Sequence, residues 1–269
     1  MRIKSIPTIN HYIKSVFSVS KPDKTLFRGQ GRNWSLAPKL ARKEFQFGSI
    51  LDKESRMFNE FKRRAPLLLN GSQVQGEIDW EWLALAQHHW MATRLLDWSL
   101  NPLIALFFAV ENPYQPLPEE PESEQHGVVW ILEYSDRQSV SPVPETSPFV
   151  IKSTKIYFPR CVTSRIVNQA GCFTVHYLNE EQGCFVPLEE DPEYSSKLTK
   201  LIIPAASFPK IRKQLEIIGI HPANIYPDVD GLAKHLTRME SLLPDEQREV
   251  VSNVRKNVVE NLRGISMIR

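Results

Sequence analysis

Gln87-His88-His89-Trp90-Met91-Ala92-Thr93-Arg94-Leu95-Leu96-Asp97-Trp98-Ser99 leads, through Leu100 and Asn101, into Pro102–Val110, a run that is apolar on every face. A helix without a polar side is a core helix. Asn101 is a good N-cap and Pro102 suits the first helical position, so the start of this helix is fixed locally. It ends before Asn112-Pro113. The preceding polar segment is therefore delivered to the edge of a core, where an unsatisfied hydrogen-bonding group costs about 1–3 kcal/mol and a charge more. A second helix covers Ile78–His89, and Thr93–Asp97 reads as extended or loop.

Toward the N-terminus, residues 8–20 place Ile9, Ile13, Val16 and Phe17 on one helical face. Thr25–Arg28 reads as a strand entering a turn at Gly29-Gln30-Gly31. Residues 49–65 read as a helix capped by Ser49 or Asp52, with Ile50, Met57, Phe58 and Phe61 inward. Toward the C-terminus, Pro113–His126, rich in proline and glutamate, is an exposed loop. The pattern then turns to strands at Gly127–Tyr134, Ile156–Phe158, Phe173–His176, Cys184–Val186 and Leu198–Ile203. Ser207 caps a helix to Ile217 or Ile218, Asp230 caps Gly231–Glu240, and a last helix from Asp245 aligns Val250, Val254, Val258 and Leu262. A helical first half followed by strands and closing helices predicts an α+β fold. One compact domain is expected, because the strand at Leu26–Arg28 needs the later strands to pair with. Its parts are an N-terminal lead-in at 1–23, a core at 24–205 and C-terminal helices at 206–269.

The 269 residues are 42% hydrophobic and 24% charged, as in an ordinary globular protein. No apolar run approaches the ~20 residues of a bilayer span, and Met1–Thr8 lacks the apolar stretch of a secretory leader. Cys161, Cys172 and Cys184 form no CxxC pair and read as reduced core residues, so neither a disulfide framework nor a metal site is expected. The expected location is cytoplasmic, with no membrane partner. Net charge is +2, yet residues 1–70 hold 15 Lys/Arg against 5 Asp/Glu. Such an excess either attracts phosphate and nucleic acid or complements the acidic remainder within the molecule.

Three blocks carry a family pattern: Phe27-Arg28-Gly29-Gln30; Gln87-His88-His89 with Thr93–Ser99, Asn101-Pro102 and Ala105–Ala109; and Arg165-Ile166 with Gln169-Ala170-Gly171 and Phe173-Thr174. Together they resemble the FRG-domain family, from about Lys24 to Ile203. Ile225–Asp228 and Asp230–Ala233 look like the family's end. The resemblance implies a prokaryotic intracellular domain associated with defence or toxin-like systems. Two positions depart from the pattern, Trp90 where the family has glycine and Ala92 where it has proline. More distantly the block order is similar to ADP-ribosyltransferases, which implies an ADP-ribosyltransferase-like core using NAD. In DNA-targeting members the residue after Gln-Ala is the catalytic glutamate; here it is Gly171.

The candidate residues follow. Arg28 with Gly29 and Gln30 offers a guanidinium and bare backbone N–H groups to a phosphate; alternatively Arg28 pairs with Asp97 or a helix end. His88 and His89 diverge by about 100° on a helix and have no metal-ligand spacing, so one packs and the other lines a cleft. Arg94 and Asp97 form a buried ion pair, or Asp97 orients Arg28 or a histidine. Ser99 caps a helix or contacts a ribose. The Gln169 amide can read a carboxamide or a ribose hydroxyl, or bridge backbone at a turn. The catalytic candidates are thus His88, His89, Asp97 and Gln169; the nucleotide-binding ones are Arg28, Gly29, Gln30, Arg94 and Ser99. Glu133, Glu180 and Glu181 are further carboxylates that no motif selects. Two functions fit: an NAD-using, ADP-ribosyltransferase-like or NAD-glycohydrolase-like enzyme acting as a toxin or phage-defence effector, or a non-catalytic nucleotide- or nucleic-acid-binding module. The basic N-terminal half would meet a nucleic-acid or protein target.

Overall fold

The computed structural model describes residues 2–43, 49–69, 78–113, 126–140, 146–160, 163–179, 181 and 183–247. The helices are α1 (Ile9–Val19), α2 (Ile50–Arg64), α3 (Asp79–His88), α4 (Pro102–Val110), α5 (Ser164–Asn168), α6 (Phe208–Ile217), α7 (Pro222–Ile225) and α8 (Val229–Glu240). The strands are β1 (Arg2–Ser5), β2 (Thr25–Gln30), β3 (Leu95–Ser99), β4 (Gly127–Glu133), β5 (Lys155–Tyr157), β6 (Gly171–Val175), β7 (Leu178–Asn179), β8 (Cys184–Phe185) and β9 (Leu198–Ile203). Seven strands form one sheet in the order β1-β9-β4-β2-β3-β6-β5, and β7 pairs with β8. β1 runs parallel to β9, and the other pairings of the large sheet are antiparallel. The fold is α+β and a single compact domain, as the sequence pattern predicts.

Alternation along the strands gives the sheet two apolar faces. One receives α1, α4 and α6 over Phe27, Val129, Ile131, Leu201 and Ile203. Further along, α2 and α3 pack through Phe58, Trp80 and Leu83 onto Leu95, Phe173 and Val175. The opposite side of the strands holds Leu26, Trp98, Val128, Trp130 and Cys172, covered by loop residues Leu36, Leu188 and Tyr194. The central helix α4 begins as its sequence dictates: Asn101 Oδ1 accepts from the Leu103 N–H at 2.9 Å, and Pro102 opens the first turn. It lies so close to β2 that a Cβ on Gly29 would sit 1.8 Å from the Ala105 carbonyl oxygen.

Several local expectations change. Thr93–Asp97 resolves into a strand at Leu95–Ser99. In α1, Phe17 is 79% exposed, whereas Tyr12 is buried and its hydroxyl donates to the Pro102 carbonyl at 2.6 Å; a periodicity count cannot see a polar tip satisfied by a partner ninety positions away. α8 is capped by Asp228, which accepts from the Gly231 N–H, and not by Asp230. β1, β7, α5 and α7 carry patterns too short to be read from sequence. Ser49 caps α2 as expected. The residues expected to extend the terminal helix beyond Gln247, most of the Pro113–His126 loop, Glu180 and Cys161 lie outside the described residues.

Candidate functional site

The candidate site begins where the sheet opens. β2 pairs with β4 from Thr25 to Gln30, yet meets β3 only at Phe27↔Ser99. Past that pair the two strands part, and Arg28 spans the seam. Its Nη1 donates to the Asp97 carbonyl at 2.6 Å and lies 3.8 Å from the Asp97 carboxylate. The Arg28 side chain is 15% exposed. Burial draws its pKa down to about 10, against which the Asp97 carboxylate acts, while the nearby Arg42 charge adds to the depression. It stays cationic at neutral pH, and its buried Nε has no hydrogen-bond partner among the described residues.

Asp97 sits in mid-strand among buried neighbours, yet its side chain is 59% exposed. The carboxylate is oriented by a chain of contacts. Thr93 accepts from the Leu95 N–H at 3.1 Å and donates to Gln87 Oε1 at 2.6 Å; Gln87 Nε2 then donates to Asp97 Oδ2 at 2.9 Å. Gln87 is placed by the last turn of α3. A carboxylate with one fixed amide donor, a guanidinium close by and one side open can bind or stabilise a cationic centre.

The two histidines end α3, their rings 4.9 Å apart and near-perpendicular. Partial burial draws His88 down to about pKa 4, with His89 and Arg165 acting in the same sense and Asp228 against. His88 is therefore neutral at pH 7, able to accept as well as donate. Arg165, from α5, forms an ion pair with Asp228 at 2.9 Å and lies over the Tyr226 ring. The Tyr226 hydroxyl is held by Glu111 at 2.8 Å, and Lys234 reaches the same carboxylate at 3.1 Å. Tyr226 lies in the Ile225–Asp228 block, but its meeting with Glu111 and Lys234 could not be read from sequence, since neither of these belongs to a motif. Among the described residues no group of three His, Cys, Asp or Glu is placed to hold a metal.

Other candidates are committed elsewhere. Arg94 does not pair with Asp97. It is buried in a multidentate contact with Glu54 of α2, at 2.6, 2.9 and 3.1 Å, and also donates to the Pro148 carbonyl. Both side chains are at most 2% exposed. A guanidinium fork is satisfied by a carboxylate meeting it edge-on; Glu54 does so from the helix interior, while Asp97 is bound to Gln87. Gln169 donates to the Ile225 carbonyl at 3.2 Å, and its own carbonyl accepts from Ser99 Oγ at 2.7 Å. Ser99 and Gln169 thus pin α5 and α7 to β3. Gln30 accepts from the Trp130 indole at 3.0 Å, and its buried Nε2 has no partner among the described residues. Gly29 is accounted for by the approach of α4.

Trp90 closes the segment. Its N–H bonds to the Gln87 carbonyl and that of Met91 to Ala86, the Schellman pattern, with Trp90 at φ 67°. Glycine is the residue that adopts this backbone without strain. Lys39 donates to the Trp90 carbonyl at 2.7 Å and lies over its ring at 5.8 Å. Arg28, Asp97 and Gln87 are thus joined by direct contacts at the seam, whereas His88, next to Gln87 at the end of α3, is set near Arg165 and Asp228. A cavity of about 270 Å³ lined by Val19, Ile131, Glu133 and Thr199 includes none of them. The Arg28–Asp97 region is an open seam.

Residues 23–116 match the family model of the FRG domain. The matched segment runs from just before β2 to just after α4. It includes Arg28, Gly29, Gln87, His88, His89, Arg94 and Asp97 and stops short of Gln169. No curated protein and no solved structure matches the chain.

Proposed function

We propose that the FRG domain present at residues 23–116 of this chain is the nucleotide-binding part of an ADP-ribosyltransferase-like enzyme that takes NAD at the β2–β3 seam. The observation that carries the reading is the exposed Asp97 carboxylate, oriented by Gln87 and set beside the Arg28 guanidinium where the strands part. Breaking the bond between nicotinamide and ribose sends the electron pair out with nicotinamide and leaves positive charge on the sugar. A fixed carboxylate facing that charge stabilises an oxocarbenium-like transition state. Arg28 would neutralise a phosphate oxygen. Neutral His88 would take the proton of the attacking group, whether water or a nucleic-acid or protein target. The family resemblance and this chemistry fit a toxin or phage-defence effector.

A second reading is a nucleotide-binding module without turnover. It is favoured by Gln169, whose amide is engaged by the Ile225 carbonyl, and by Gly171 in the place of a transferase glutamate. One experiment separates the two. The purified protein is incubated with NAD, and nicotinamide release, added mass on candidate targets and thermal stability are measured. Turnover that is lost in Asp97→Asn with melting temperature retained supports the enzyme. A thermal shift without nicotinamide release supports the module, and neither shift nor release overturns both.

A further inference from the structure

The basic excess of the first 70 residues becomes specific once its partners are known. Lys21 and Lys24 are paired with Glu133 and Asp136, Lys62 with Asp79, and Arg63 and Arg64 with Glu60. Lys39, Arg42 and Lys43 have no ion pair to a described carboxylate, and Arg42 and Lys43 are exposed. Residues 39–43 thus place three cations close together in the chain without a described carboxylate partner. The Arg42 charge is felt at Arg28, so this strip borders the seam.

Trp90 stands beside the same strip. It is 74% exposed, so burial does not hold its ring in place. It occupies a left-handed backbone position that glycine would fill without strain. Lys39 fixes it from two directions, bonding its carbonyl and standing over its ring. A large aromatic side chain held in the open, at a strained position, beside exposed cations matches how single-stranded nucleic acids are bound: bases stack on the ring and cations follow the backbone. Duplex DNA offers no free base face to such a ring.

We propose that Trp90, braced by Lys39, is a stacking platform for a base of single-stranded nucleic acid whose phosphates pass over Arg42 and Lys43. The platform goes beyond NAD binding and stands whether or not the seam turns NAD over. The test is fluorescence anisotropy of the full chain with a labelled single-stranded oligonucleotide of about 12 nucleotides at low salt. Trp90→Gly removes the ring while relieving the backbone, so the protein stays folded. Binding should weaken about tenfold or more, with melting temperature retained, and Trp90→Phe should recover most of it. Arg42→Gln should flatten the salt dependence of binding. The proposal is overturned if the parent does not bind, or if Trp90→Gly binds equally well. It is also overturned if a duplex of the same sequence binds as tightly, or if AMP competes at concentrations similar to the oligonucleotide, which would mark a mononucleotide site.

Discussion

Gly29 and Gly31 flank the same residue, and their surroundings differ. A Cβ at Gly29 would fall on the Ala105 carbonyl, whereas one at Gly31 would meet no atom of the described residues within 4 Å. Gly29→Ala should therefore cost about 1–3 kcal/mol through forced separation of α4 from β2. Gly31→Ala should stay within about 0.5 kcal/mol. Urea unfolding of the two variants checks this, and equal effects would contradict the packing account. Trp90→Gly has two opposing contributions. It relieves about 1–2 kcal/mol of left-handed strain and loses about 0.5–1 kcal/mol of cation–π contact with Lys39. A melting temperature at or slightly above the parent's is expected. The departure at Trp90 was readable in the sequence. Its consequence was not, because an αL position becomes visible only once the helix end is placed.

The Glu54–Arg94 contact is what ties α2 to the start of β3. Removing the charge of Glu54 leaves a guanidinium buried with too little compensation, at a cost of about 3–5 kcal/mol. Glu54→Gln should lower the unfolding midpoint accordingly. Asp97→Asn, at an exposed carboxylate, should change stability by no more than about 1 kcal/mol. Comparable losses in both variants would mean that Asp97 is a strut like Arg94. The sequence placed both residues of an ion pair in one motif, yet the true partner of Arg94 lies forty positions upstream in α2, where no motif marks Glu54. The start of α4, the Ser49 cap of α2 and β9 were legible because each depends on residues within a few positions. The Gln87–Asp97 contact was not, since it requires the end of a helix and the middle of a strand to meet.

Across the molecule, neutral histidines set the response to acid. Burial holds His176 at about pKa 3, countered in part by the Val186 carbonyl and reinforced by Arg28 and Arg94; His88 is held at about 4. Both titrate near 6.5 when unfolded. The unfolded chain therefore binds more protons below that value. Stability present above pH 6.5 should fall progressively toward pH 4. Urea midpoints between pH 7.5 and 4.5 test this, with His176→Gln expected to shallow the slope; a flat profile would contradict the burial of neutral imidazole. The family-matched segment also depends on the rest of the chain. β2 and β3 share one register pair, while β2 is flanked by β4 and β3 by β6, both outside 23–116. The isolated fragment 23–116 should show no cooperative unfolding transition, which thermal circular dichroism would reveal.

By itself the sequence determined the α+β class, the apolar helix behind Asn101-Pro102, the lone strand carrying Arg28 and the family pattern around them. These follow from periodicity, capping and fixed local spacing, which act within a turn or a strand. The tertiary structure alone decided that β2 and β3 part beside Arg28, that Arg94 belongs to Glu54, that Gln169 is spent on α7, and that Asp97 is left exposed with Gln87. Each of these is a matter of register and of which distant polar groups meet. A buried charge or amide takes whichever partner the packed chain brings within reach, and the local sequence does not name that partner.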